Sequence, residues 1–173
     1  WSLFKYPGIR SDSDMYTFGF SFKTWDNPKS FADAPNILKY LIEAAEEYKI
    51  NDKIKYQTKV LKSNFDTQKK LWSVTTVDSF DKTEIYYSRF LFSCTGYYNY
   101  DKGYTPNYKG INDFKGIIIH PQHWPKNLAY KNKKVVVIGS GATAVTIVPE
   151  MADKTSEITM LQRSPTYVGA FPN

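Results

Sequence analysis

The fold class can be read from one stretch, Val135-Val136-Val137-Ile138-Gly139-Ser140-Gly141-Ala142-Thr143-Ala144. Its first four residues are β-branched and predict a strand buried in a parallel sheet. Gly139 permits a tight turn, Gly141 lets the backbone approach a pyrophosphate, and Ala144 is small enough for a helix to pack on the strand. The N–H groups at the start of that helix would face the phosphates. This pattern predicts a dinucleotide-binding turn, and the alternative is an ordinary glycine turn in an α/β unit.

The residues that follow extend this pattern to a strand–helix–strand unit. A helix is predicted over 142–151, with Pro149 expected to kink it or to end its regular part early. A second strand is predicted over 158–161, and it runs into Gln162-Arg163-Ser164, about 20 residues past the glycines. NAD-binding sites carry an acidic residue there, whereas a guanidinium pairs with a 2′-phosphate. NADPH is therefore favoured over NADH, and the alternative is a surface arginine without a ligand.

The chain before residue 97 has the periodicity of one helix and several strands. The helix has Pro35 in its first turn and apolar residues at helical spacing up to Tyr48. Residues 16–22 alternate as a half-buried strand does, and 89–94 are apolar throughout, as in a strand buried on both faces. Between the helix and 89–94, short strands are predicted at 54–60, 61–65, 71–77 and 84–87, with a hairpin turn at Asp66-Thr67.

Composition excludes several classes of protein. The 173 residues are 42% hydrophobic and 17% aromatic, too apolar for a disordered tail, and no apolar run approaches the ~18 residues of a membrane span. The single Cys94 cannot form an internal disulfide, which suits the cytoplasm. The net charge of +6 comes from scattered lysines, with only three arginines, and indicates a solvated surface. Nucleic-acid binding is therefore not predicted, although it stays open as an alternative.

A second group of residues, Phe114 to Pro125, contains two histidines, His120 and His123. Neither a cysteine nor a carboxylate cluster accompanies them, so no metal site is predicted. A histidine after an apolar run is usually a packed residue, and the residue types alone assign no chemistry here.

The same residues fit the pattern FxGxxxHxxxWP in full, through Phe114, Gly116, His120, Trp124 and Pro125. This pattern resembles the fingerprint of the Baeyer–Villiger monooxygenases, a branch of the two-dinucleotide flavin-containing monooxygenases. In that family the fingerprint links the FAD and NADP domains and helps to couple cofactor movement to oxidation. The role of its histidine is not settled, so His120 is named here as a site residue without a defined function.

The start of the chain is similar to another segment of that family. Trp1-Ser2-Leu3-Phe4-Lys5-Tyr6-Pro7-Gly8-Ile9-Arg10-Ser11-Asp12 resembles its tryptophan-to-YPGxRxD segment, which lies over the flavin. The resemblance covers nearly the whole chain. It implies an α/β, two-dinucleotide-binding-domain flavoprotein with Rossmann-like FAD and NADP domains, incomplete at both ends. Residues 1–96 would be the later part of the FAD domain (helix plus β-meander), 97–130 the linker, and 131–173 the first βαβ unit of the NADP domain.

The resemblance also implies roles for individual residues. The FAD contacts would be Trp1, Asp12 and Val60. Asp12 is in addition expected to be a buried carboxylate that orients an arginine beside the flavin. The NADP contacts would be Arg10, Ser11, Asp12, Gly139, Ser140, Gly141, Ala142, Thr143, Ala144, Val145, Arg163 and Ser164. The glycine fingerprint for FAD and the active-site arginine have no match in this chain and would lie outside it.

The implied activity is that of an FAD- and NADPH-dependent monooxygenase. Such an enzyme uses a C4a-peroxyflavin to insert one oxygen of O₂ into a ketone, giving an ester, or to oxidise thioether or thioamide sulfur. The expected partners are therefore a small ketone or sulfide and O₂, and this segment alone is expected to be inactive. The alternative is a non-catalytic nucleotide-binding or oligomerising module.

Overall fold

The computed structural model describes residues 1–170. Its helices and strands, in chain order, are α1 (Met15–Phe18), α2 (Ala34–Glu47), β1 (Thr58–Asp66), β2 (Leu71–Asp78), β3 (Thr83–Ser88), β4 (Lys134–Ile138), α3 (Ala142–Ala152) and β5 (Glu157–Leu161). Three short 3-10 turns lie at Asn51–Lys53, Ile111–Asp113 and Pro121–His123. The chain divides into two compact units: Trp1–Ala44 combines with the chain from Asn99 onward, and Ala45–Tyr98 forms the other.

The first unit has its core under α2. Pro35 lies in the first turn of this helix as predicted, and the apolar face carries Ile37 and Tyr40 into the interior. The Tyr40 hydroxyl donates to the carbonyl of Lys23 and accepts from the backbone N–H of Phe20, so one buried phenol holds the preceding loop. The rest of this core consists of Met15, Trp25 and Ala32, with Trp1 and Leu41 packed against it.

The strand predicted over 16–22 was wrong. Residues Met15–Phe18 form α1, because the Asp14 side chain accepts a hydrogen bond from the Thr17 N–H at 2.9 Å and caps the helix. Between α1 and Phe22, only Phe20 has strand geometry, in a single bridge with Lys23. The alternation of aromatic residues therefore did not indicate a strand, because the Asp14 cap stabilises a helical turn at these residues.

The second unit contains a three-stranded antiparallel meander in the order β1-β2-β3. The predicted hairpin is confirmed, because Asp66 pairs with Leu71 and its carboxylate accepts from the N–H groups of Gln68 and Lys69, both at 2.9 Å. The predicted strands 54–60 and 61–65 are instead one strand, β1, which begins at Thr58 and has an irregular register after Val60.

The strand predicted over 89–94 was also wrong. These residues have no strand structure, and the side chains of Phe90 and Phe92 are 78% and 84% exposed. A strand buried on both faces needs neighbouring strands, and no strand within residues 1–170 pairs with this run. The run is apolar, but within residues 1–170 it lacks the neighbouring strands that the prediction required.

In the first unit, β4 and β5 are parallel and α3 packs against both. The strand–helix–strand prediction is confirmed, and α3 buries Ala144, Ile147 and Met151. The helix does not end at Pro149 but continues to Ala152, where the Met151 carbonyl accepts from the N–H groups of Lys154 and Thr155. The expected full burial of β4 was wrong, because alternate residues are exposed: Val136 and Ile138, with Leu161 on β5.

Candidate dinucleotide-binding site

The glycine turn after β4 leaves open space beside its backbone. Gly139 has φ +128°, a backbone conformation that residues other than glycine rarely adopt. Its N–H donates to the Leu161 carbonyl at 2.9 Å. A Cβ built at Gly139 or at Gly141 meets no atom within 4 Å. Ala144 is buried, as the packing of α3 on the strands requires. The turn therefore offers a close approach to a ligand, which is what a pyrophosphate needs.

The start of α3 leaves hydrogen-bond donors without a partner inside the helix. Gly141 is the N-cap residue and has no side chain to cap the first turn. The N–H groups of the first turn, from Ala142 to Ala144, have no acceptor within an α-helix. Together with the helix dipole, they favour an anionic group at this position. The residues present thus fit a dinucleotide pyrophosphate.

Residues 6–12, which we call the strap, are attached to the chain just before α2. The Ser11 N–H donates to the Ala32 carbonyl at 2.8 Å, and the Ala32 N–H donates to the Ser11 hydroxyl at 3.1 Å. The Ala34 N–H donates to the Ile9 carbonyl at 3.0 Å. These hydrogen bonds hold the end of the strap in one conformation, and Ser11 is buried there.

The beginning of the strap lies against α3. The half-buried phenol of Tyr6 lies near the Thr143 side chain, and burial together with the nearby Asp12 carboxylate raises the pKa of Tyr6. The strap then turns at Gly8, which has φ +71°, and a Cβ at this position would overlap the side chain of Glu150 on α3. The structure therefore brings the predicted residues Asp12 and Thr143 to the same tyrosine.

The other predicted cofactor contacts lie in different surroundings. Trp1 packs against the core under α2, and Arg10 is exposed. Asp12 is exposed in this structure, so its expected burial was wrong. Arg163 and Ser164 directly follow β5 and are exposed. Val60 belongs to the other compact unit, where it is exposed beside the irregular register of β1.

The fingerprint residues belong to the first unit, where His120 and Trp124 are partly buried and Phe114 is exposed. His120 precedes a 3-10 turn, and its Nδ1 accepts from the Gln122 N–H at 3.3 Å, which assigns the proton of the neutral ring to Nε2. The imidazole lies against Gly103, where a Cβ would overlap the ring. In the same manner the Phe114 ring lies over Gly116. Phe114 and Gly116, two of the five fixed residues of the pattern, are thus in contact with each other.

Sequence reasoning missed two residues. The motif that contains Tyr6 predicts no role for it, and no sequence pattern points to Gly103. A tyrosine directly before Pro7-Gly8 was a usable signal, because that turn places it beside a fixed backbone position. No comparable signal marked Gly103, since its importance depends on a histidine elsewhere in the chain.

Within residues 1–170, no three side chains of His, Cys, Asp or Glu are arranged to hold a metal ion. No helix in the same range has both the length and the apolar character needed to cross a bilayer. Cys94 is a free, exposed thiol.

Several known proteins are similar to this chain. A family model described as flavin-binding monooxygenase-like matches residues 2–170. The probable FAD-binding monooxygenase AlmA of Acinetobacter baylyi is 52% identical over 174 residues, which cover 100% of this chain and 35% of that protein. The FAD-containing monooxygenase EthA of Mycolicibacterium smegmatis is 52% identical over 173 residues, which cover 99% of this chain and 35% of EthA. The chain thus spans about a third of the length of these relatives.

Solved structures show the same fold. The crystal structure of OTEMO with FAD and NADP has a TM-score of 0.73 and 33% identity, over 95% of this chain and 32% of that one. A cyclohexanone-bound cyclohexanone monooxygenase has a TM-score of 0.74 and 27% identity, over 96% of this chain and 32% of that one. The predicted α/β class with Rossmann-like sheets is confirmed.

Proposed function

The chain belongs to the flavin-binding monooxygenase-like family, and from this premise we propose that it serves in an FAD- and NADPH-dependent monooxygenase. The observation that carries this proposal is the open glycine turn at the start of α3, in a chain about half identical to FAD monooxygenases. The proposed substrates are small ketones, converted to esters, and thioether or thioamide sulfur. The full match to FxGxxxHxxxWP and the likeness to a ketone-binding structure support the ketone class.

The proposed NADP-binding residues follow the chain from β4 to the end of β5. The backbone from Gly139 to Val145 would hold the pyrophosphate, because the N–H groups from Ala142 to Ala144 have no acceptor inside the helix. Arg163 and Ser164 would bind the 2′-phosphate, which favours NADPH over NADH. Arg10, Ser11 and Asp12 would line the nicotinamide side.

The proposed FAD contacts are Trp1, Asp12 and the backbone at Val60. FAD, when bound, supplies the redox and oxygen chemistry that no side chain can supply. The chain's own part is to bind and orient both cofactors. His120 is proposed to hold the linker rather than to transfer a proton, because its Nδ1 is occupied by the Gln122 N–H and its ring is packed on Gly103.

The test is to express the full-length protein that carries this chain and to measure its flavin spectrum. With NADPH, cyclohexanone and thioanisole, we expect NADPH and oxygen to be consumed and an ester or sulfoxide to form. Gly141→Ala is the matched variant, because an added Cβ meets no atom within 4 Å and the φ of −77° suits alanine. The added methyl group would occupy only the space proposed for the pyrophosphate. We therefore expect it to keep its flavin but to bind NADP⁺ about tenfold more weakly.

The two named alternatives give different results in the same experiment. A protein that binds NADP⁺ but holds no flavin and consumes no oxygen would be a non-catalytic nucleotide-binding module. A protein that binds neither cofactor would contradict the proposal altogether. Equal NADP⁺ affinity of wild type and Gly141→Ala would show that the glycine turn is not the binding site.

A further inference from the structure

We propose that Gln122 is a positioning residue of the fingerprint: it clamps the turn that carries His120 onto residues 99–103, where the chain enters the first unit again. We call residues 99–103 the entry turn. This inference rests on the proposed function, because it gives a role in the monooxygenase to a position that FxGxxxHxxxWP leaves open. Both turns belong to the same compact unit.

The first step of the argument is that the half-buried Gln122 donates two hydrogen bonds in different directions. Its side-chain Nε2 donates to the Asn99 carbonyl at 2.9 Å, although the two residues are 23 positions apart in the chain. Its backbone N–H donates to Nδ1 of His120 at 3.3 Å. One residue therefore holds the imidazole and joins its turn to the entry turn.

The second step is that the entry turn has the shape to receive these contacts. The Asn99 side-chain Oδ1 accepts from the N–H groups of Asp101 at 3.0 Å and Lys102 at 3.3 Å, which fixes a tight turn directly after the carbonyl that Gln122 binds. Gly103 follows this turn and lies against the His120 ring. The clamp and the ring contact therefore hold the same two turns together.

The third step is that local structure does not bring these turns together. Between Asn99 and Gln122, all of which the structure describes, there is no α-helix or strand, and Ile111–Asp113 forms one short 3-10 turn. Closing a segment of this kind costs conformational entropy that contacts at its two ends must offset. The Gln122 side chain supplies one of those contacts, so its loss should open the clamp measurably.

The fourth step concerns what lies on the other side of the entry turn. The ring of Tyr100 packs on the ring of Phe4, with centroids 6.2 Å apart. Phe4 lies three residues after Trp1, in the segment proposed to contact FAD. The clamp thus connects the fingerprint to the flavin side of the proposed site through contacts that lie outside α3. We therefore expect it to affect the alignment of the flavin with NADPH rather than the affinity for NADP⁺.

The experiment compares Gln122→Glu with Gln68→Glu in the full-length protein. Glutamate keeps the shape of glutamine, but its carboxylate cannot donate a hydrogen bond to the Asn99 carbonyl. Gln68 is the matched control, because it is exposed in the hairpin of the other compact unit and receives the same change in charge. Hydrogen exchange with mass spectrometry of peptides covering 99–103 and 120–123 measures how often the clamp opens. Stopped-flow absorbance measures flavin reduction by saturating NADPH, and titration calorimetry measures the Kd of NADP⁺.

We expect Gln122→Glu to speed exchange in both peptides by about threefold to tenfold, as the loss of one hydrogen bond would. Flavin reduction should become slower while the Kd of NADP⁺ stays the same, and Gln68→Glu should match the wild type throughout. Wild-type exchange rates in Gln122→Glu overturn the proposal. So does faster exchange with an unchanged rate of flavin reduction, since the clamp would then hold the loop without positioning anything for the reaction.

A double-mutant cycle with Tyr100→Leu gives a second, independent measurement. This variant removes the ring contact with Phe4 but leaves the clamp, so flavin reduction should slow while exchange over 120–123 stays at the wild-type rate. If Gln122 acts through the entry turn, adding Gln122→Glu should then slow flavin reduction little further. Additive losses would contradict the proposal. A wild type without flavin would instead contradict the proposed function, and hydrogen exchange would still test the clamp, so the two failures are distinguishable.

Discussion

At the scale of single residues, Gly103 lies against the His120 ring, which leaves no space for a larger side chain. Its φ is not positive, so alanine suits the backbone, yet a Cβ would overlap the His120 ring at Nδ1, Cγ and Cε1. We expect Gly103→Ala to displace the imidazole, break the bond from Gln122, and cost about 1–3 kcal/mol of stability. Chemical denaturation gives the loss, and the ¹⁵N shifts of His120 report whether Nε2 alone still carries the proton.

The control for this change is the same substitution in a His120→Ala background. Without the ring there is nothing for the new methyl group to overlap, so Gly103→Ala should there be nearly neutral. An undiminished cost in that background would mean that Gly103 is needed for a reason unrelated to the histidine.

Arg163 carries the proposed choice between the two nicotinamide cofactors. Arg163→Ala should weaken NADPH binding about tenfold or more, the usual effect of losing a charge-assisted hydrogen bond, and leave NADH binding unchanged. Arg89→Ala is the matched control, because Arg89 is exposed and lies in the other compact unit. Fluorescence titrations with each reduced cofactor measure both effects. A similar loss for NADPH and NADH would argue against recognition of the 2′-phosphate.

At the scale of elements, β3 carries a strongly perturbed carboxylate. Glu84 accepts from the Lys82 ammonium at 2.7 Å and from the Tyr86 hydroxyl, and these bonds lower its pKa to about 2. Because the folded-state pKa is below the usual value, the stabilisation is present above about pH 4.5 and is lost as the pH falls towards 2. The pair is exposed, so salt should weaken it.

Carbon-13 NMR of the Glu84 carboxyl group measures this effect directly. Lys82→Gln should move its titration towards that of an ordinary glutamate, and the stability difference between wild type and Glu84→Gln should shrink on acidification. A Glu84 that titrates near 4.5 in the wild type would show that these contacts are not formed in solution.

Whether an element could be predicted depended on how local its determinants are. The α2 helix, the β1–β2 hairpin and the strand–helix–strand unit follow from periodicity and from turn residues such as Asp66, which act within a few positions. The failures at 16–22 and 89–94 have different causes. At the first, the Asp14 cap stabilises a helical turn in place of the strand. At the second, no strand among residues 1–170 pairs with the apolar run.

At the scale of the whole molecule, the candidate site was predictable only in part. The glycine turn is a continuous motif, so its residues and geometry could be read together. The contacts of Tyr6 with Thr143 and of Gly103 with His120 join residues far apart in the chain, and no local pattern encodes such pairs. For the same reason the predicted FAD contacts could be named but not placed relative to one another, and Val60 lies in a different compact unit from Trp1.

The docking of the strap on α3 also constrains the order of folding. The β4–α3–β5 unit is continuous in sequence and can close early, because its loops are short. Tyr6 and Gly8 precede α3 by more than 130 residues, so they are made before Thr143 and Glu150, which lie near them in the fold. The strap must therefore wait for α3 to emerge before it can dock. The helix that carries the nucleotide-binding turn is in this way covered by a segment that was made well before it.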